Sequence, residues 1–121
     1  MNPYQAYKQN SIATASPKAI LVRLHDKALF ELSLAKKAWQ DSNLSEMRPH
    51  ITRVQDIISY LHTSLDPMMQ LSEKLGGLYR YYLFQLSKIF VQPTEDLFTE
   101  VQAFFTEWRE TWWKAEQQSI E

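Results

Sequence analysis

The pattern that decides the fold lies in residues 46–65, EMRPHITRVQDIISYLHTSL. Its apolar residues recur every three or four positions, which places them on one face of a helix. These residues are Ile51, Val54, Ile58, Leu61 and Leu65. A helix with one apolar face must bury that face against another element, so the stretch predicts one member of a helical bundle.

Three further stretches on either side repeat the helical pattern. A helix over 17–41 is predicted because Ser16 suits an N-cap and the proline after it suits the first helical position. A third helix is predicted over about 68–90, and a fourth over about 95–114 behind Thr94 as its cap. The connections between these helices are short, which favours antiparallel neighbours.

The predicted fold class is therefore all-α, an antiparallel up-down four-helix bundle with an N-terminal arm. Residues 1–16 are expected to form the arm and residues 17–117 the bundle. The arm is polar but carries three isolated apolar groups, Tyr4, Tyr7 and Ile12. An arm that served only as a linker would not need them, so we expect these side chains to cover apolar surface on the bundle.

Two positions test the helix boundaries. Pro49 is expected in the first turn of the second helix, where the missing N–H costs little. Gly76 and Gly77 interrupt the third helix, and each costs about 1 kcal/mol relative to alanine in a helix interior. Either that helix begins after Gly77, or another group packs closely against the two glycines.

The amino-acid composition argues against several classes of function. The 121 residues fit one domain, and the absence of cysteine excludes disulfides and thiolate metal sites. Thirteen basic residues stand against 14 acidic ones, so the basic excess of a nucleic-acid-binding protein is missing. No signal peptide and no apolar run of about 18 residues are found, which favours a cytoplasmic protein without a membrane span.

The three histidines do not form a metal motif. Glu-x-x-His pairs carry metals in helical bundles, but the residues three positions before His25, His50 and His62 are valine, methionine and serine. We therefore expect no metal, no cofactor and no enzymatic activity. One alternative stays open: histidine phosphotransfer domains are bundles of this size, and His25 followed by Asp26 and Lys27 resembles their site weakly. In the main interpretation His25→Ala would leave folding nearly intact.

Aromatic residues are unusually frequent. They make up 13% of the chain, including four tryptophans and six tyrosines. An aromatic excess of this kind is typical of binding surfaces. For any single aromatic residue the core is the commoner place, and a homodimer interface on the fourth helix is a further possibility.

Four segments together resemble the flagellin-specific export chaperone family, FliS. They are residues 7–24, YKQNSIATASPKAILVRL; residues 57–66, IISYLHTSLD; residues 75–86, LGGLYRYYLFQL; and residues 105–112, FTEWRETW. Their order and spacing agree with the family along nearly the whole chain. The chain departs at His25-Asp26-Lys27, where the family commonly has Tyr-Asp-Gly.

The resemblance implies a cytoplasmic chaperone that binds the disordered C-terminal segment of flagellin in apolar grooves. Binding would prevent premature polymerisation and present flagellin to the flagellar export gate at the membrane, by a monomer or weak homodimer that binds no nucleic acid. Part of the arm would cover the groove until flagellin arrives. The expected partner-binding residues are Tyr4, Tyr7, Ile12, Ile57, Leu61, Leu65, Leu75, Leu78, Tyr79 and Tyr82.

Overall fold

The computed structural model describes residues 16–66 and 70–120, with side chains as far as residue 118. Four helices make up almost all of these two ranges, and no strand occurs within them. They are α1 (Pro17–Gln40), α2 (Leu44–Thr63), α3 (Ser72–Val91) and α4 (Glu95–Ile120). The all-α prediction is confirmed. The expected contacts of Tyr4, Tyr7 and Ile12 lie outside the described residues.

Polar caps start three of the helices. The Ala19 backbone N–H donates to Ser16 Oγ at 3.1 Å, and the Leu97 N–H donates to Thr94 Oγ1 at 3.2 Å. At α2, Asn43 Oδ1 accepts from the Glu46 N–H at 3.0 Å. Each cap satisfies a backbone donor that the first turn of a helix leaves without an intrahelical partner. The caps expected at Ser16 and Thr94 are confirmed.

The helix boundaries differ from the sequence prediction in three places. Because Asn43 caps α2, the helix starts at Leu44 and Pro49 lies in its second turn rather than its first. The third helix starts at Ser72, later than predicted. The fourth continues past Lys114 to Ile120, because no glycine or proline follows to end it.

Adjacent helices run antiparallel, as the contacts between α1 and α4 demonstrate. Side chains near the start of α1 contact the end of α4, and the order reverses along both helices. The pairs are Ser16 Oγ to Glu116 Oε1 at 3.4 Å, Arg109 Nε to Asp26 Oδ1 at 2.9 Å, and Lys36 Nζ to Glu95 Oε1 at 2.8 Å. Since α2 packs on α1 and α3, and α4 packs on both α1 and α3, the four helices enclose one core.

The core is aliphatic between α1 and α2 and aromatic beside α4. Tyr82 stacks on Phe104 with ring centroids 4.0 Å apart, and Tyr79 meets the same ring edge-on at 6.3 Å. Trp39 stacks on Phe98 at 5.4 Å at the opposite end of the bundle. These rings account for much of the aromatic excess, although Phe30, Tyr81, Phe84 and Trp113 each remain more than 40% exposed.

Gly76 and Gly77 lie within α3 and not before it. A Cβ built on Gly76 would lie 3.5 Å from His62 Nε2 and 3.9 Å from Leu65 Cδ1, which are ordinary contact distances. A Cβ on Gly77 would meet only Arg80, at 3.9 Å. Neither glycine has a positive φ. The backbone thus requires glycine at neither position.

Gly77→Ala is therefore expected to stabilise the protein. The substitution restores helix propensity and adds no collision, so the free energy of unfolding should rise by about 0.5–1 kcal/mol. Urea denaturation followed by circular dichroism would measure the change. Gly76→Ala should give a smaller gain because its methyl group must fit beside His62. A loss of stability in Gly77→Ala would contradict the helical assignment of this turn.

Candidate functional site

An apolar cleft of about 510 Å³ opens at one end of the bundle. It is bounded by the first turns of α1, the last turn of α2 and the chain beyond it, the first turns of α3, and the C-terminal half of α4. Its apolar and aromatic walls are formed by Ile20, Leu21, Leu24, Tyr60, Leu61, Leu65, Leu75, Tyr79 and Trp112. The size falls in the range of binding pockets, roughly 300–1,000 Å³.

Four polar or charged side chains also line the cleft. They are Lys18, Ser64, Asp66 and Ser72, and Ser72 Oγ donates a hydrogen bond to the Asp66 carbonyl. One basic and one acidic side chain beside apolar walls do not suit a phosphate or a nucleic-acid backbone. Such walls suit an apolar side chain carried on a peptide.

Tyr79 anchors the floor of the cleft. It is 2% exposed, and burial raises the pKa of its phenol to about 12. The ring packs edge-on against Phe104 and lies 6.1 Å from the His62 ring. Tyr79 is thus held as a neutral aromatic surface, with no charge that an apolar ligand would have to displace.

Four of the residues expected to bind a partner meet in this cleft: Leu61, Leu65, Leu75 and Tyr79. Three others do not line it. Ile57 is fully buried in the core, while Leu78 and Tyr82 are half-buried against it on α3. Tyr4, Tyr7 and Ile12 lie outside the described residues.

The expected partner-binding residues include none from α1 or α4, although Ile20, Leu24 and Trp112 line the cleft. Periodicity alone does not separate a core face from a face that lines a cleft at the end of the same core. The signal that could have identified them is their position. They lie in the first and last turns of their stripes, where a bundle has the fewest neighbours.

Comparison with known proteins identifies a family that matches nearly the whole chain. The model of the family described as "Flagellar protein FliS" matches residues 1–119. The chain belongs to the FliS family. The protein named flagellar secretion chaperone FliS from Bacillus subtilis (strain 168) is 29% identical over 114 residues, covering 94% of this chain and 86% of that protein. The resemblance inferred from four sequence segments is confirmed.

The segments that carry the FliS resemblance converge on the cleft. Residues 17–24, 60–66 and 75–79 contribute walls from three helices, and Trp112 closes the fourth side. Segments far apart in the chain thus supply one surface.

His25 in this FliS family chain is a core residue. It is 0% exposed, its Nδ1–H donates to the Leu21 carbonyl at 2.7 Å, and its ring meets Phe105 edge-on at 5.7 Å. Burial lowers the pKa of His25 to about 4, against smaller opposing effects of the Leu21 carbonyl and Asp26. A phosphate donor cannot reach Nε2, which is buried without a hydrogen-bond partner.

The burial of His25 bears on two interpretations of this residue. The phosphotransfer alternative needs an exposed histidine, and the burial of His25 removes its basis. The burial of His25 also argues against the expectation that His25→Ala would leave folding nearly intact, because removing a buried ring leaves a cavity.

Glu31 was missed at the sequence level. This carboxylate is 3% exposed and joins α1 to α2 by accepting from His50 Nδ1 at 2.6 Å and Lys27 Nζ at 3.0 Å. Arg53 Nη1 lies 3.5 Å away. Burial pushes the pKa of Glu31 up, but the hydrogen bonds from His50 and Lys27 and the charges of Lys27 and Arg53 outweigh it and lower the pKa.

The Glu31 group makes a fixed polar link within the FliS bundle and not a metal site. Within the described residues no three His, Asp or Glu side chains gather as a metal would require. None of the described helices is both long enough and apolar enough to cross a bilayer.

Proposed function

We propose that this chain is a flagellar secretion chaperone whose cleft binds the C-terminal segment of flagellin, here called the guest. The observation that carries the proposal is the apolar cleft formed by family-resembling segments in a chain of the FliS family. The name of the Bacillus subtilis relative supports the same role. The protein acts in the cytoplasm, without catalysis or cofactor.

The cleft suits a guest that is disordered when free. A disordered segment folds as it binds, and an amphipathic helix places apolar anchors into a groove at i, i+3, i+4 and i+7. Leu61, Leu65, Leu75 and Tyr79 would contact the first anchors, with Trp112 on the opposite side. Leu78 and Tyr82 would extend the contact along α3, and Ile57 supports the cleft from within the core.

Occupation of the guest's apolar face explains the biological role. A chaperone that covers the C-terminal segment would keep flagellin from polymerising early and present it to the export gate. Because coupled folding and binding lowers the net affinity, the complex can form tightly enough for protection and still release its cargo.

The guest interaction can be tested with purified chaperone and flagellin of the same organism. We expect one-to-one binding by titration calorimetry and a gain in helicity by circular dichroism when the isolated flagellin tail is mixed with the chaperone. Flagellin without its C-terminal segment is the matched control. Equal binding of the truncated flagellin, or binding without any gain in helicity, would overturn the proposal.

The N-terminal arm is proposed to protect the empty cleft. An exposed apolar groove promotes self-association, and Tyr4, Tyr7 and Ile12 are the apolar groups that residues 1–16 offer to cover it. Removal of residues 1–14 should therefore increase binding of a hydrophobic dye and self-association, while circular dichroism still reports a helical bundle. A truncated chain that stays monomeric and binds no extra dye would show that the arm does not cover the cleft.

A further inference from the structure

The wall that α3 supplies to the cleft has weak helical signals in its first six residues, 72–77, SEKLGG. Gly76 and Gly77 have the lowest helix propensity of any residue type except proline. Leu71 stands at the N-cap position, and within the described residues no side chain caps this helix, in contrast to the other three. We call residues 72–77 the α3 gate.

The closed bundle does not require glycine in the α3 gate. Neither glycine has a positive φ, and a Cβ on either one would make only ordinary contacts, the nearest at 3.5 Å from His62 Nε2. Glycine weakens a helix because the unwound chain gains more conformational freedom at glycine than at any other residue. Two glycines that the folded geometry does not need therefore favour a state in which this turn is unwound.

Few side chains of the α3 gate are buried. Leu75 is its one large apolar residue, and it is 1% exposed and lines the cleft. Ser72 is half-buried, and its Oγ donates to the Asp66 carbonyl. Glu73 and Lys74 are exposed. A segment with little buried apolar surface opens at a lower free energy than the whole domain, so the gate can unwind while the rest of α3 stays packed.

The position of the α3 gate suits it to control access to the cleft. All four helices contribute walls, so a guest chain that continues beyond the cleft is laid into it only when one wall moves. We propose that the α3 gate unwinds locally to admit the guest chain and then closes again beside it. This inference rests on the proposed function and adds how the cleft is entered and left.

The stability of the α3 gate then sets the rates of binding and not the affinity. Leu75 belongs to the closed wall that contacts the guest, so the bound state needs the gate closed, whereas entry and release both need it open. A change that stabilises the closed gate therefore slows both steps by the same factor and leaves the dissociation constant unchanged.

Hydrogen exchange of the full-length protein, followed by NMR, tests the opening without any guest. The amides of residues 75–78 report on the gate, since the Leu75 N–H donates to the Leu71 carbonyl at 2.9 Å in the closed helix. We expect these amides to have protection factors at least about 100-fold lower than those of residues 85–89 in the same helix.

Two variants assign the exchange to the α3 gate. Gly77→Ala should raise the protection of residues 75–78 about fivefold, which is the propensity difference between glycine and alanine expressed as an equilibrium constant. Thr106→Ala is the matched control, because it raises helix propensity at an exposed position of α4 and should leave these amides unchanged. Neither substitution changes a charge or a side chain that lines the cleft.

Stopped-flow fluorescence with the isolated flagellin tail tests the use of the gate. Gly77→Ala should slow association and release about fivefold each, with an unchanged dissociation constant, and Thr106→Ala should change neither rate.

Three results would overturn the proposal. Equal protection along α3 would remove the opening, and unchanged rates in Gly77→Ala would show that the guest enters without it. A weaker affinity caused by faster release alone would assign Gly77 to a close contact with the guest. Absence of any tail binding would instead overturn the proposed function, and the exchange data would then decide on their own whether the gate opens.

Discussion

Leu65→Glu is expected to lower the affinity for the flagellin tail by at least about 100-fold. Leu65 lines the cleft and is half-buried, so the fold does not depend on it as it does on the fully buried wall residues. A guest side chain packed there would lose an apolar contact worth roughly 1.5–3 kcal/mol and would bury a carboxylate without a partner. Each loss of about 1.4 kcal/mol weakens binding tenfold.

Two matched variants separate this effect from a general loss of solubility or folding. Leu65→Met keeps an apolar side chain of similar volume and should bind the tail nearly as tightly as the unchanged protein. Phe30→Glu introduces the same charge on the outer face of α1, away from the cleft, and should have no effect on affinity. Titration calorimetry with the isolated tail would measure all three, and an unchanged affinity in Leu65→Glu would remove the cleft as the binding site.

Acid is expected to destabilise the bundle through His25. Its pKa falls from an ordinary 6.5 to about 4 in the folded state, so between these values the unfolded chain takes up a proton that the folded chain does not. Stability is therefore complete above pH 6.5 and falls as the pH drops toward 4. The free energy of unfolding should fall by roughly 2 kcal/mol between pH 7 and pH 5, and by roughly 3 kcal/mol in total.

Variants at two buried positions identify the source of the acid sensitivity. His25→Leu removes the titrating ring and should flatten the dependence of stability on pH between 7 and 5, whatever its effect on absolute stability. Glu31→Gln should keep that slope, because the lowered pKa of Glu31 gives stability that is lost only below its ordinary value of 4.5. Urea denaturation at a series of pH values would provide the measurement. A slope unchanged by His25→Leu would place the sensitivity elsewhere.

The sequence predicted the helices well because each one carries its own local signals. Ser16 and Thr94 are cap residues, and the stripes repeat with the helical period, so existence and type follow from neighbouring residues. Boundaries were less accurate where two signals compete. At α2, Pro49 was expected in the first helical turn. The stronger signal is the cap at Asn43, so the helix starts at Leu44, five residues before Pro49.

Only some of the residues that line the cleft could be predicted from the sequence. Leu61, Leu65, Leu75 and Tyr79 were among the expected partner-binding residues. Leu21 and Trp112 lie in family-resembling segments too but were not, because their contribution depends on which helix ends meet in space.

The burial of two polar residues was also missed, although the helical period allowed it. Glu31 lies three residues after Ala28 and four before Ala35, on the buried face of α1, and His25 lies beside that face. The sequence of one helix does not reveal whether a charged side chain on it will be paired with an oppositely charged side chain of another helix.

The walls of the cleft come from opposite ends of the chain. Pro17 and Ile20 stand on one side and Trp112 on the other, and the link from Ser16 to Glu116 joins residues 100 apart in sequence. Synthesis proceeds from the N-terminus, and a domain folds as a unit when its last element is available. A nascent chain that has emerged only as far as α3 therefore has no complete cleft. On the proposed function, guest binding would therefore begin only after the last helix has been translated.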